Sequence, residues 1–147
     1  MASCRKAAKL FPTDAAYLAG LIDGESTIAL TRRHRTDQRQ LVVSISNTER
    51  PLLEWVLSVA GVGKITGKKT YQAHHAPGLT YAVSNRQALA VLAQVAPYLQ
   101  TYKAGRAQLI LRDYLRLTPR NGRYTAKLKD EREALIERFL AVKPIRT

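Results

Sequence analysis

The segment Tyr17-Leu18-Ala19-Gly20-Leu21-Ile22-Asp23-Gly24-Glu25 ends an apolar stretch on two carboxylates. Thr13 suits an N-cap, and Asp14 in the first turn suits the positive end of the helix dipole. The expected helix runs to about Asp23 and stops at Gly24. Ala16, Ala19 and Gly20 give it a face of small side chains, and Ala16 and Gly20, four apart, share one side. Another backbone can approach closely there. Two sources of that backbone fit: the rest of the same subunit, or a second copy about a twofold axis.

The two carboxylates stand out against the charge of the chain. Only Asp14, Asp23, Glu25, Asp37, Glu49 and Glu54 precede Asp113, and no acid lies between Trp55 and Arg112. Lys and Arg number 24, for a formal net charge of +13. Such a balance points to a nucleic-acid partner, with a ribosome-associated or merely basic protein as the plainer alternative. A single cysteine, Cys4, excludes an internal disulfide and a cysteine-rich zinc site. No apolar run approaches a bilayer span, and Met1 to Lys9 is basic without the apolar core of a secretory signal. A soluble, intracellular protein is expected. With 147 residues, 46% of them hydrophobic, one folded domain is the simplest organisation.

Periodicity supplies the elements. Thr27 to Arg33 alternates as a strand, with Ile28 and Leu30 on one face. Gln40 to Asn47 alternates again, with Leu41, Val43 and Ile45 inward. A helix from about Thr48 to Ala60 carries Leu52, Leu53, Val56 and Leu57 and stops at Gly61. Lys64 to Tyr71 and Leu79 to Ser84 form a second strand pair around His74-His75-Ala76-Pro77-Gly78. Asn85 is the expected cap of a helix over Arg86–Ala96, and helices follow over about Lys103–Leu117 and Lys127–Val142. The fold class is α+β: an αββαββα core with a four-stranded antiparallel sheet and extra C-terminal helices.

Leu18 to Glu25 resembles the signature of the LAGLIDADG homing endonucleases, and the order of strands and helices over about residues 13–117 is similar to that family's core. Residues of about 118–147 are a C-terminal helical extension. The resemblance implies a homodimeric endonuclease that cuts double-stranded DNA and is encoded within an intron. It implies that the motif helices pair through Ala16, Ala19, Gly20 and Asp23. Glu25 would bind magnesium (or manganese) directly, with help from the Gly24 carbonyl. Asn47 takes the place of an amide that orders the attacking water, although it also suits the N-cap of the following helix. Lys103 takes the place of a basic residue near the scissile phosphate, although it also reads as a solvated lysine at a helix start. Arg106, one turn on, is a weaker candidate. Glu25 stands where Asp is commoner, and Ser26 where glycine often follows.

The outward strand positions form the expected DNA surface: Thr31, Arg33, Arg35, Arg39, Gln40 and Ser44 on the first pair and its loop, with Lys64, Thr66, Lys68, His75 and Thr80 on the second. Arg and Lys can donate to guanine edges and Gln to adenine, while others hold phosphates. An eight-residue strand spans about 26 Å, or roughly eight base pairs at ~3.4 Å each. Two subunits would cover on the order of fifteen to twenty base pairs of a near-palindromic site. Two alternatives keep the basic surface without needing Glu25: an RNA-binding splicing helper and a non-catalytic DNA-binding regulator. The histidines lack a third ligand at zinc spacing.

Overall fold

Helix α1 (Pro12–Glu25) passes into strand β1 (Ser26–Thr31) with no residue between them. The chain continues as β2 (Gln40–Asn47), α2 (Arg50–Ala60), β3 (Lys64–Gly67), β4 (Leu79–Ser84), α3 (Asn85–Val95), a 3-10 turn at Ala96–Tyr98, α4 (Lys103–Asp113) and α5 (Ala126–Ala141). This computed structural model describes residues 5–67 and 78–145. Lys68 and His75 lie outside those residues, as do Cys4 and the expected continuation of the third strand to Tyr71. Among the described residues no helix is long and apolar enough to cross a membrane.

The strands form one antiparallel sheet in the order β1-β2-β4-β3. Its register aligns Ile28, Val43 and Val83 in one row and Ile45, Tyr81 and Ile65 in another. Those rows face the helices, so Ile28, Leu30, Leu41, Val43, Ile45, Tyr81 and Val83 are all buried. Alternation with period two therefore sorts the strands as the sequence suggests. The Tyr81 hydroxyl donates to the Val62 carbonyl at 2.6 Å, and burial pushes its pKa up to about 12. On the helical side Leu18, Ala19 and Ile22 of α1, Leu53 and Val56 of α2, and Val91, Leu92 and Val95 of α3 complete one core.

Several boundaries move for local reasons. Pro12 opens α1, Phe11 is its N-cap, and no side-chain cap bond is made there, so Thr13 is not the cap. Proline at the first position needs no amide partner. The helix runs through Gly24 to Glu25, because Ser26 N–H still donates to the Ile22 carbonyl. Proline near the start likewise delays α2 to Arg50, while Gly61 stops it in the left-handed region at φ 71° as expected. Ser84 caps α3, and Asn85 itself sits at φ 53°. The Asn85 Oδ1 accepts from the Tyr114 hydroxyl at 2.7 Å, which holds it there.

Helix α5 contributes Leu135 and Phe139 to the interior, whereas Leu140 is exposed. Its least expected member is Arg132, only 2% exposed. The guanidinium donates to the Leu117 carbonyl and Thr118 Oγ1, each at 2.7 Å, and to the Arg39 carbonyl at 2.5 Å, and it lies over the Tyr114 and Tyr124 rings. It thus ties the end of α4 and the base of the β1–β2 hairpin to the extension. Arg132→Ala should lower the unfolding free energy by on the order of 3 kcal/mol, through stranded carbonyls and lost packing. Urea denaturation with an unchanged m-value checks this.

Candidate nucleic-acid interface and carboxylate site

The outer face of the sheet is lined by small side chains. The register aligns Thr27, Ser44, Ala82 and Lys64 in one row and Ser46, Thr80 and Thr66 in another. Ser46 and Thr80 share a hydrogen bond of 2.9 Å. Lys64 and Thr66 are exposed, and Ser44 and Thr80 half-buried. Short side chains leave this face open to the close approach of another polar surface.

Charge concentrates at the hairpin end. A cleft of about 1130 Å³ runs between the sheet, the start of α3 and the turn before α5, lined by Arg32, Arg33, Arg86, Arg120 and Lys129 with Asp37 as the one acid. Thr31 and Gln40 line it as expected. Arg32, Arg86, Arg120 and Lys129 were not singled out in the sequence, because they lie outside the alternating strand positions. Arg33 and Arg35 are exposed. Two expected readers are partly engaged within the chain: Arg39 Nη1 donates to the Leu30 carbonyl at 3.1 Å, and the side-chain oxygen of Gln40 lies 3.1 Å from the Tyr114 hydroxyl.

At the opposite end of the sheet, the last turn of α1 meets the end of β2. Asn47 Nδ2 donates to Glu25 Oε2 at 2.8 Å, and Asn47 Oδ1 accepts the Glu49 amide at 2.8 Å. A backbone amide can only donate, so the oxygen of Asn47 must face Glu49 and its NH₂ must face the carboxylate. One side chain therefore serves the approach to α2 and orients Glu25. Glu25 stands at the negative end of the α1 dipole, where an anion is disfavoured and a cation favoured. Gly24 has open space where a Cβ would stand. The donors here, a carboxylate and a backbone carbonyl, are oxygens of the kind that magnesium takes alongside water and phosphate. Among the described residues no three His, Cys, Asp or Glu side chains come together to hold a metal.

Asp23 and Lys103 turn inward. Asp23 Oδ2 accepts the Gln100 amide at 2.8 Å, and Oδ1 accepts the Thr101 amide at 3.1 Å and hydroxyl at 2.5 Å. Asp23 thus joins α1 to the segment before α4, as a helix-end acid, while remaining partly exposed. Lys103 is 8% exposed, and its ammonium donates to the Ile22 carbonyl at 2.6 Å and the Asp23 carbonyl at 3.1 Å. It is not the solvated lysine that a helix start suggests. Burial pulls its pKa down, opposed by the charge of Asp23 and assisted by that of Arg106. Arg106 donates to the Val142 carbonyl at 2.9 Å, and its guanidinium lies over the Tyr102 and Phe139 rings.

The small face of α1 divides. Ala19 is fully buried within the chain, which corrects its expected place at a dimer interface. Ala16 and Gly20 are exposed, and Gly20 has no atom within 4 Å of an added Cβ. Exposed Tyr17 beside them packs edge-on to Trp55 at a centroid distance of 5.0 Å.

Asp23 generates a pH prediction. Burial raises its pKa, but the Thr101 hydroxyl, two amides and Lys103 outweigh this, so the folded value lies below 3.8. Its stabilising contribution is full above the unfolded value and is lost as pH falls through the lower folded value. Asp23→Asn should therefore weaken the protein at neutral pH and flatten the fall in stability below about pH 4. Thermal unfolding of both proteins across that range checks it.

No family model matches the chain, and no curated protein matches it. Solved structures do. The homing endonuclease I-CvuI, in complex with its target in the presence of calcium, superposes with a TM-score of 0.73 at 18% identity, over 92% of this chain and 85% of that one. The archaeal intron-encoded homing endonuclease I-Vdi141I, complexed with DNA, gives 0.58 at 17% identity, over 92% and 87%. The meganuclease I-SmaMI, bound to uncleaveable DNA, gives 0.59 at 24% identity, over 84% of this chain but 44% of that one. This chain has the fold of the LAGLIDADG homing endonucleases.

Proposed function

We propose that two copies of this chain bind a long, near-palindromic double-stranded DNA site and hydrolyse one phosphodiester in each strand with the help of a divalent metal. The observation that carries this reading is the Glu25 carboxylate, held by Asn47 at the end of α1, on the same sheet whose other end carries the cationic cleft. The solved neighbours described with DNA, calcium and magnesium support the same reading.

Each part has a physical assignment. The stripe of Ala16 and Gly20 on α1 is the contact with the second copy, and it brings the two Glu25 side chains together. A glycine inside a helix costs about 1 kcal/mol relative to alanine. No contact within the chain requires one at Gly20. Glu25 and the Gly24 carbonyl would hold the ion, with DNA phosphates and water completing its shell. When bound, magnesium or manganese supplies charge to phosphoryl oxygens and lowers the pKa of a water. Asn47 fixes the direction in which the carboxylate points. Thr31, Arg33, Arg35, Gln40, Ser44, Lys64, Thr66 and Thr80 face the groove, and Arg86, Arg120 and Lys129 of the cleft hold flanking phosphates. Intron homing is the biological role that this activity would serve. An RNA-binding helper or a non-catalytic regulator would keep the cationic face without using Glu25.

Incubation of a randomised double-stranded DNA library with magnesium should give discrete products with the wild type. Chelation of the metal should abolish them, and Glu25→Gln should slow their formation by roughly a hundredfold or more. Binding without cutting by both proteins would instead support the regulator or the RNA helper. A Cβ at exposed Gly20 meets no atom within 4 Å, so Gly20→Leu should fold, yet sediment as a monomer where the wild type sediments as a dimer. An unchanged dimer would rule out this face of α1 as the contact.

A further inference from the structure

Helix α1 ends with unpaired carbonyls and the segment entering α4 begins with unpaired amides, as any two helix ends do. Here each end is closed by a charged side chain from the other. Asp23, in the last turn of α1, accepts the amides of Gln100 and Thr101 and the Thr101 hydroxyl. Lys103, the first residue of α4, donates to the carbonyls of Ile22 and Asp23. Thr101 Oγ1 also accepts the Lys103 amide at 3.3 Å, which closes the circuit. The charges agree with the dipoles, an anion at the start of one helix and a cation at the end of the other. The Ile22 carbonyl also accepts the Ser26 amide, so Lys103 is a second donor there and a further one to the Asp23 carbonyl, while α4 makes no side-chain cap bond of its own.

We infer that Asp23 and Lys103 form a reciprocal latch that fixes the height and direction of Gly24 and Glu25, so that Lys103 is a positioning residue and does not touch the scissile phosphate. The inference rests on the reading of Glu25 as the metal-holding carboxylate. Gly24 and Glu25 follow the latched carbonyls directly and are followed by Ser26, whose hydroxyl donates to the Ser44 carbonyl at 2.6 Å. They are therefore held from both sides: by α4 before them and by β2 after them. A lysine whose ammonium serves two carbonyls at 8% exposure has little freedom to reach a phosphate. Its effect reaches the site through the backbone.

The test compares Lys103→Met, Asp23→Asn, the double variant and the conservative Lys103→Arg. Two readouts are used: the magnesium concentration for half-maximal cleavage, and amide hydrogen exchange over residues 20–26 and 100–105. The latch predicts that both single variants raise the half-maximal magnesium concentration by about tenfold. It predicts that they share one defect, so the double variant is no worse than the weaker single. Exchange should quicken in both helix ends together, whichever one is altered, and Lys103→Arg should restore part of each effect. If Asp23→Asn does not fold, Thr101→Val removes one of the three donors to Asp23 and replaces it in the series. A Lys103→Met that loses turnover at saturating magnesium, beside an Asp23→Asn that cuts normally, would overturn the latch and place Lys103 on the phosphate. Faster exchange at only the altered end would overturn it too. Exchange is read on the protein alone, so a wild type that cuts no DNA would refute the nuclease reading while the coupling of the two ends is still decided.

Discussion

The direct junction of α1 with β1 is the constraint on which the arrangement depends. Ser26 closes the helix through its amide and opens the strand in register with Ile45. No linker absorbs movement between them. The core pins the helix through Leu18, Ala19 and Ile22, and the sheet through Ile28, Val43 and Ile45. Glu25 is consequently fixed relative to every strand position. A carboxylate on a flexible loop would have to be ordered whenever a ligand arrived, whereas here the ordering accompanies folding.

Charge is arranged along the same axis. Cations gather at the hairpin end of the sheet, in the cleft shared with α3 and the turn before α5. Asp113 pairs with Arg112, Arg116 and Arg138, and Glu131 with Arg116 and Lys127. Glu25 has the neutral amide of Asn47 as its described partner. The α5 extension shapes this distribution as well as packing against the core, since Arg132 sets the turn that carries Arg120 against the hairpin.

Much of this architecture was legible because it follows from short-range rules. Strand alternation placed Ile28, Leu41, Val43 and Ile45 inward, and Gly61 marked the end of α2. Glu25 stood out as an acid in a basic chain. Errors came where long-range partners decide. Ala19 and Gly20 look alike as small residues, but they point to different sides of the helix, one into the core and one outward. Asp23 finds its partners 77 and 78 residues away, and Lys103 finds its partners 81 and 80 residues away. No local pattern announces such pairs. Arg132 was missed for the same reason: a buried arginine reads as a surface charge until the three acceptors from distant segments are assembled around it.

The edge-on pair of Tyr17 and Trp55 has a spectroscopic consequence. Trp55 is the only tryptophan in the sequence, and its ring contacts the residue that borders the exposed small-residue stripe of α1. Indole emission is sensitive to the polarity and mobility of its surroundings. The native protein therefore carries an intrinsic optical sensor of whatever comes to cover that helix, without any label being attached.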